Sequence, residues 1–231
     1  MTGPAGPPAG ATPPAGAGPG PKELPPIAIP DHRSSGLGSD DHPMRIMTRR
    51  AAELTGGGWD AEAREKVSSY FDQLASEWHT RTSPARDAVL LDALDRGGVT
   101  GGDVVIEVGS GIGAYSALLG KRFLRVLAVD LSFEMLRIAP PEPALRVRAD
   151  AADLPNRSGV ADAVVLVNAL LFPAEVDRVL AAGGCVVWVN SSGEETPIHL
   201  PAGEVADVLP GEWRGVTSRA GLGMWCVLRR A

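Results

Sequence analysis

The first sustained periodicity along the chain begins after Asp60. Val67, Tyr70, Phe71, Leu74 and Trp78 recur every three or four positions as one apolar stripe, which predicts a helix over residues 61–79. Ser83 offers the next N-cap and Pro84 the first helical position, opening a second helix that ends near Gly97 and Gly98. Beyond it, short apolar runs alternate with helical stretches, the pattern of a parallel sheet covered on both faces. Strands are expected at residues 103–108, 124–130, 145–149, 161–168 and 185–190. Helices are expected at 112–121, 132–138 and 173–181, the last stopped by Gly183 and Gly184. Between Ala149 and Ala161 the run DAADLPNRSGV reads as loop with at most one turn. After a last helix at 201–209, WRGVTSRAGLGMWCVLRR reads as two strands around a glycine turn, an antiparallel hairpin. The fold class is therefore α/β.

Nothing of this kind precedes residue 56. Residues 1–30 hold ten of the twenty prolines and six glycines with almost no large apolar side chain, so ordering them would cost entropy without burial to offset it. The expected organisation is a disordered Pro/Gly-rich tail over residues 1–55 and one domain over 56–231. No apolar run approaches the roughly 18 residues that a spanning helix requires, and the N-terminus lacks a charged start followed by an apolar block, so a cytoplasmic protein with no membrane partner is expected. Cys185 and Cys226 lie in strand-like runs without metal-ligand spacing and read as buried thiols. A net charge of −6 argues against nucleic acid as a partner, since gripping its backbone takes a basic face.

The candidate chemistry starts at VVIEVGSGIGAYSALLG, a buried strand, a glycine-rich turn and a helix start, where backbone N–H groups meet a ligand at a positive helix end. Gly109, Gly111 and Gly113 followed by Ala114 also satisfy the dinucleotide fingerprint, so the loop alone does not separate nucleotide cofactors. Glu107, two residues before the first glycine, would repel a pyrophosphate and suits a cofactor that carries an ammonium and a sulfonium. Asp130 ends the second strand, where an acid accepts hydrogen bonds from both ribose hydroxyls. Asp150 ends the third, a second acceptor for the exocyclic amine of an adenine lying along Leu131 and Met135.

As an ordered set these segments resemble the class I S-adenosylmethionine-dependent methyltransferases. EVGSGIG is similar to the first motif of that family, AVDLSFEML to its second, RADAADLP to its third, and EVDRVLAAGGCVVWV to the helix and fifth strand that follow. The resemblance runs from Ala61 to Arg230. It implies a Rossmann-like seven-stranded, mostly parallel sheet of order 3-2-1-4-5-7-6 with helices on both faces. It also implies S-adenosyl-L-methionine held by Glu107, Gly109, Ser110, Gly111, Gly113, Asp130, Leu131, Met135, Asp150, Ala151 and Asn168. The stretch SSYFDQLASEWHTR further resembles the N-terminal helix of quinone and small-molecule methylating members, where it implies a lid. Asn168-Ala-Leu-Leu departs from the N-P-P-Y type motif of enzymes that methylate base or amide nitrogen, which leaves a small organic acceptor methylated at oxygen or carbon. A base is needed only if that acceptor arrives protonated. His32 and His42 fall in the expected tail, leaving His79 and His199 as candidates. No metal site is expected. Two alternatives stay open: a non-catalytic cofactor-binding module, and a nicotinamide oxidoreductase, which is disfavoured because neither Tyr70 nor Tyr115 has a lysine four residues later.

Overall fold

The computed structural model describes residues 20–33, 36, 38–56 and 58–231. Eight strands among these residues form one sheet: β1 (Lys22–Glu23), β2 (Gly102–Val108), β3 (Phe123–Asp130), β4 (Ala144–Arg148), β5 (Ala161–Val167), β6 (Leu180–Asn190), β7 (Trp213–Ala220) and β8 (Gly223–Arg230). Their spatial order is β1-β7-β8-β6-β5-β2-β3-β4. Counted from β2, this is the expected 3-2-1-4-5-7-6 arrangement, with β8 inserted antiparallel between β6 and β7. The count of seven is corrected to eight by β1, which pairs parallel with β7 through Lys22 and Glu23.

Among the described residues, seven α-helices accompany the sheet: α1 (Pro43–Ala51), α2 (Ala61–Leu74), α3 (Pro84–Arg96), α4 (Ser116–Leu119), α5 (Phe133–Ile138), α6 (Pro173–Val179) and α7 (Ala202–Val208). The helix expected at 61–79 is α2 followed by a 3-10 stretch, Ala75–Arg81. Capping follows the sequence closely. The side chains of Asp60, Ser83 and Ser132 accept the N–H of Ala63, Arg86 and Met135 at the starts of α2, α3 and α5. The sheet separates two apolar layers. Ile106, Leu166 and Trp188 belong to one, and Val105, Val165 and Val187 to the other, as strict alternation along buried strands requires.

The tail expected over residues 1–55 lies outside the described residues through residue 19. From residue 20 onward, that expectation is corrected. Leu24 N–H donates to the Thr217 carbonyl and Ile27 N–H to that of Arg219, continuing the edge pairing begun by β1. Helix α1 is capped by His42, whose Nδ1 accepts Met44 N–H, and has Pro43 in its first turn. It buries Met44, Thr48 and Ala51. Its apolar face consists of methionine, threonine and alanine and not of branched aliphatics, which is why the pattern was faint. Among the described residues, no helix is long and apolar enough to cross a membrane. Both cysteines are buried and unpaired, and burial pushes the Cys226 thiol up to about 12.

Candidate active site

The carboxyl ends of β2, β3 and β5 open into a cleft of about 970 Å³, counted out to open solvent. Its floor is the turn after β2. Gly109 has φ of 66° and a Cβ there would lie 2.6 Å from Cβ of Ala169, so the loops leaving β2 and β5 cross too closely for any side chain. Gly111 and Gly113 also take positive φ, which keeps residues 111–115 out of helical geometry. The helix expected at 112–121 therefore shrinks to the single turn of α4. Backbone N–H groups of the turn, and not a helix dipole, are what this floor presents to a ligand.

Asp130 closes the wall at the end of β3. Its Oδ2 accepts Gly111 N–H at 2.7 Å and its Oδ1 accepts Ser132 N–H at 2.8 Å, so the acid holds the glycine turn while each oxygen keeps a further lone pair. Burial raises its pKa against the effect of these bonds. Leu131, Met135 and Ala151 line the same cleft, with Gly109, Ser110 and Gly111. Asp150 lines it too, but with a partner the sequence reading did not anticipate. The Trp59 indole N–H lies 2.9 and 3.0 Å from its two oxygens, Arg64 makes an ion pair at 3.0 Å, and Ala152 N–H donates at 2.9 Å. Trp59 packs edge-on to Phe172 at 5.0 Å between ring centroids. Phe71 and Trp78, from α2 and the 3-10 stretch, complete the cover.

Glu107 does not line the cleft. Alternation along β2 puts Ile106 and Val108 in one layer and turns Glu107 into the other, the side of Val105. It is buried there, with Oε2 accepting Ser116 Oγ–H at 2.5 Å and Oε1 without any donor. Burial is the main reason its pKa rises to about 7, with the charge of Asp130 adding to it and the Ser116 bond opposing it. Gly113 likewise lies outside the lining. The buried hydroxyl of Ser110 also lacks a partner. An acid-lined cleft with an unpaired carboxylate oxygen beneath its floor fits a ligand that brings positive charge and N–H donors, as S-adenosylmethionine does.

A second cavity of about 620 Å³ shares Phe71, Trp78, Arg81, Arg86, Asn168 and Ile198 with the first. Asn168 stands at the junction with φ of 51°, an unusual conformation for a residue with a side chain. It is held by Nδ2–H donation to Ser191 Oγ and by Oδ1 accepting Ser191 N–H, both at 2.8 Å. Neither histidine expected as a base reaches either cavity. His79 is exposed, with Nδ1 at 3.1 Å from the Ser76 carbonyl. His199 is buried with Nδ1 at 3.4 Å from Arg45, and burial reinforced by that cation lowers its pKa to about 4. The histidine that does line the second cavity is His42, and Trp59, Arg81 and Arg86 were also missed. Only a recognised helix start at Pro43 would have brought His42 forward.

Residues 106–187 match the family model described as a methyltransferase domain. No curated protein matches the chain. Among solved structures, the fold is similar to that of a DhpI–SAH complex, with 23% identity over 73% of this chain and 97% of that one and a TM-score of 0.59. It is also similar to a SAM-dependent methyltransferase from Aquifex aeolicus, with 18% identity over 67% of this chain and 96% of that one and a TM-score of 0.55. The matched segment is thus a methyltransferase domain, and the chain shares the fold of S-adenosylmethionine-dependent methyltransferases.

Proposed function

We propose that the chain transfers the methyl group of S-adenosylmethionine to an oxygen or carbon of a small organic acceptor. The observation that carries this reading is the pair of contiguous cavities: one over the glycine turn and its acids, the other meeting it at Asn168 with room for a small molecule. When bound, the cofactor supplies a methyl carbon already activated by the sulfonium. The chain's own residues bind, orient and exclude water. Asp130 has lone pairs left for ribose hydroxyls, Leu131 and Met135 offer an apolar face to the adenine, and Phe71 and Trp78 cover the space where the two cavities meet. Holding nucleophile and methyl in line is the main task in such a displacement, and pre-ordering of this kind is worth about 7–11 kcal/mol.

His42 is a hydrogen-bond donor in this scheme and not a base. Its Nδ1 is committed to Met44 N–H, so the neutral ring carries its proton on Nε2. The net charge of −6 argues against nucleic acid as the acceptor. The test is calorimetric titration with S-adenosylhomocysteine, followed by transfer from labelled S-adenosylmethionine to fractions of a cell extract. Saturable binding with label in dialysable small molecules is expected. Label confined to protein or nucleic acid would overturn the small acceptor, and binding without transfer to any fraction would leave a non-catalytic module.

A further inference from the structure

The charged side chains of the second cavity are of one sign only. Arg81 and Arg86 line it with His42, and among the described residues no aspartate or glutamate does. Among the described residues, neither arginine has a carboxylate within ion-pair distance. Arg81 instead lies over the Trp78 ring at 5.4 Å from its centroid, and Arg86 donates to the Arg81 carbonyl. Each cation is thus held in place by a contact that does not neutralise it. Both are partly buried. Two like charges beside one partly desolvated cavity cost free energy unless an anion joins them, and a guanidinium presents a fork of donors suited to an oxyanion. The Nε2–H of His42 adds another donor. The rest of the wall combines apolar side chains such as Met44, Phe71 and Leu74 with the neutral polar groups of Ser191, Ser192 and Thr196.

Building on the transferase reading above, we propose that the methyl acceptor is a small organic acid, an apolar body carrying a carboxylate or phosphate-type group that Arg81, Arg86 and His42 grip in the second cavity. Both arginines also border the first cavity; at least one of them, with the imidazole, serves the acceptor. Such an acceptor also explains why no histidine is placed as a base for its anionic end, which arrives deprotonated.

The experiment titrates protein saturated with S-adenosylhomocysteine with phenylacetate and phenyl phosphate, and with neutral phenylacetamide as the matched control. It uses the wild type, Arg81→Gln and Arg86→Gln, with thermal melts to establish that each variant folds. Charge-assisted bonds of this kind are worth about tenfold or more in affinity, so at least one of the anions should bind about tenfold more tightly than the amide. At least one substitution should abolish that preference while the dissociation constant for S-adenosylhomocysteine moves less than about threefold. In the transfer assay, extract metabolites retained on an anion exchanger should hold the acceptor. Amide and acids binding equally, acids binding with no dependence on either arginine, variants that lose only the cofactor product, or an acceptor confined to the unretained fraction would each overturn the proposal. Should S-adenosylhomocysteine itself fail to bind, the cofactor reading fails separately, and the same anion comparison on the unliganded protein then decides whether the cavity is an acid site.

Discussion

The carboxyl group sealed behind the glycine turn should make both stability and cofactor binding answer to pH. The pKa of Glu107 rises from 4.5 to about 7, chiefly through burial. Because the folded-state value is raised, its contribution to stability is complete below pH 4.5 and is lost as pH climbs through 7. A shift of that size corresponds to an effect of the order of 3 kcal/mol. Glu107→Gln should therefore gain stability relative to the wild type on going from pH 4.5 to pH 8, as chemical denaturation at the two pH values would show. A cofactor bringing an ammonium to the cleft would favour the ionised form, so S-adenosylhomocysteine binding near pH 6.5 should release protons. Titrations in buffers of different ionisation enthalpy should give different apparent heats for the wild type and the same heat for Glu107→Gln. Equal heats for both proteins would uncouple this acid from the ligand. The sequence placed Glu107 correctly at the strand end. Its facing was not legible from the end of a strand, because the alternation of a strand buried on both sides leaves no polar face to read. Asp130 was legible in place, but its bonds to Gly111 and Ser132 were not, since they depend on a turn that stays non-helical for five residues.

Between the glycine turn and solvent lies α2 with its flanks, and one contact that holds them is the bond of the indole N–H of Trp59 to the acid expected to read the adenine. A cofactor whose adenine amine takes Asp150 as acceptor would have to loosen or share its contacts with Trp59 and Arg64. Replacing Trp59 by Phe keeps a ring against Phe172 and removes the donor. A charge-assisted hydrogen bond is worth about 1.5–3 kcal/mol, part of which is recovered by water, so association of S-adenosylhomocysteine should quicken roughly three- to tenfold in Trp59→Phe. Surface plasmon resonance would measure it, and an unchanged association rate would dismiss the contact as a gate. At this scale the sequence was most informative where elements were long or capped. The caps at Asp60, Ser83 and Ser132, the five parallel strands β2 to β6 and the terminal hairpin all follow from local pattern. Two elements escaped it. Strand β1 is two residues long and charged, so nothing in Lys22–Glu23 marks it until β7 is in view. Helix α1 carries its cap on a histidine and its buried face on methionine, threonine and alanine.

Taken whole, the molecule has its substrate-facing cavities at one end of the sheet and a segment that wraps around to reach them. That segment pairs with β7 through β1, then brings α1 and His42 to the wall of the second cavity, where Arg45 fastens it to the carbonyls of Glu194 and Thr196. Removing residues 1–29 deletes β1 and bares one edge of the sheet. An exposed edge is a template for pairing with another chain. Such a truncated protein should self-associate at concentrations where the full chain does not, as analytical ultracentrifugation would show. Identical sedimentation of the two forms would mean that β1 protects nothing.

The same strand has a consequence for how the protein is made. The Ser218 hydroxyl reaches the Leu24 carbonyl across 194 positions of sequence. Its residues leave the ribosome before any other part of the sheet, yet the strand they join is among the last synthesised. Contacts of that sequence separation form late, because the loop must be closed before they reward it. The nascent chain therefore builds its central strands first and holds Lys22 and Glu23 in waiting until β7 arrives.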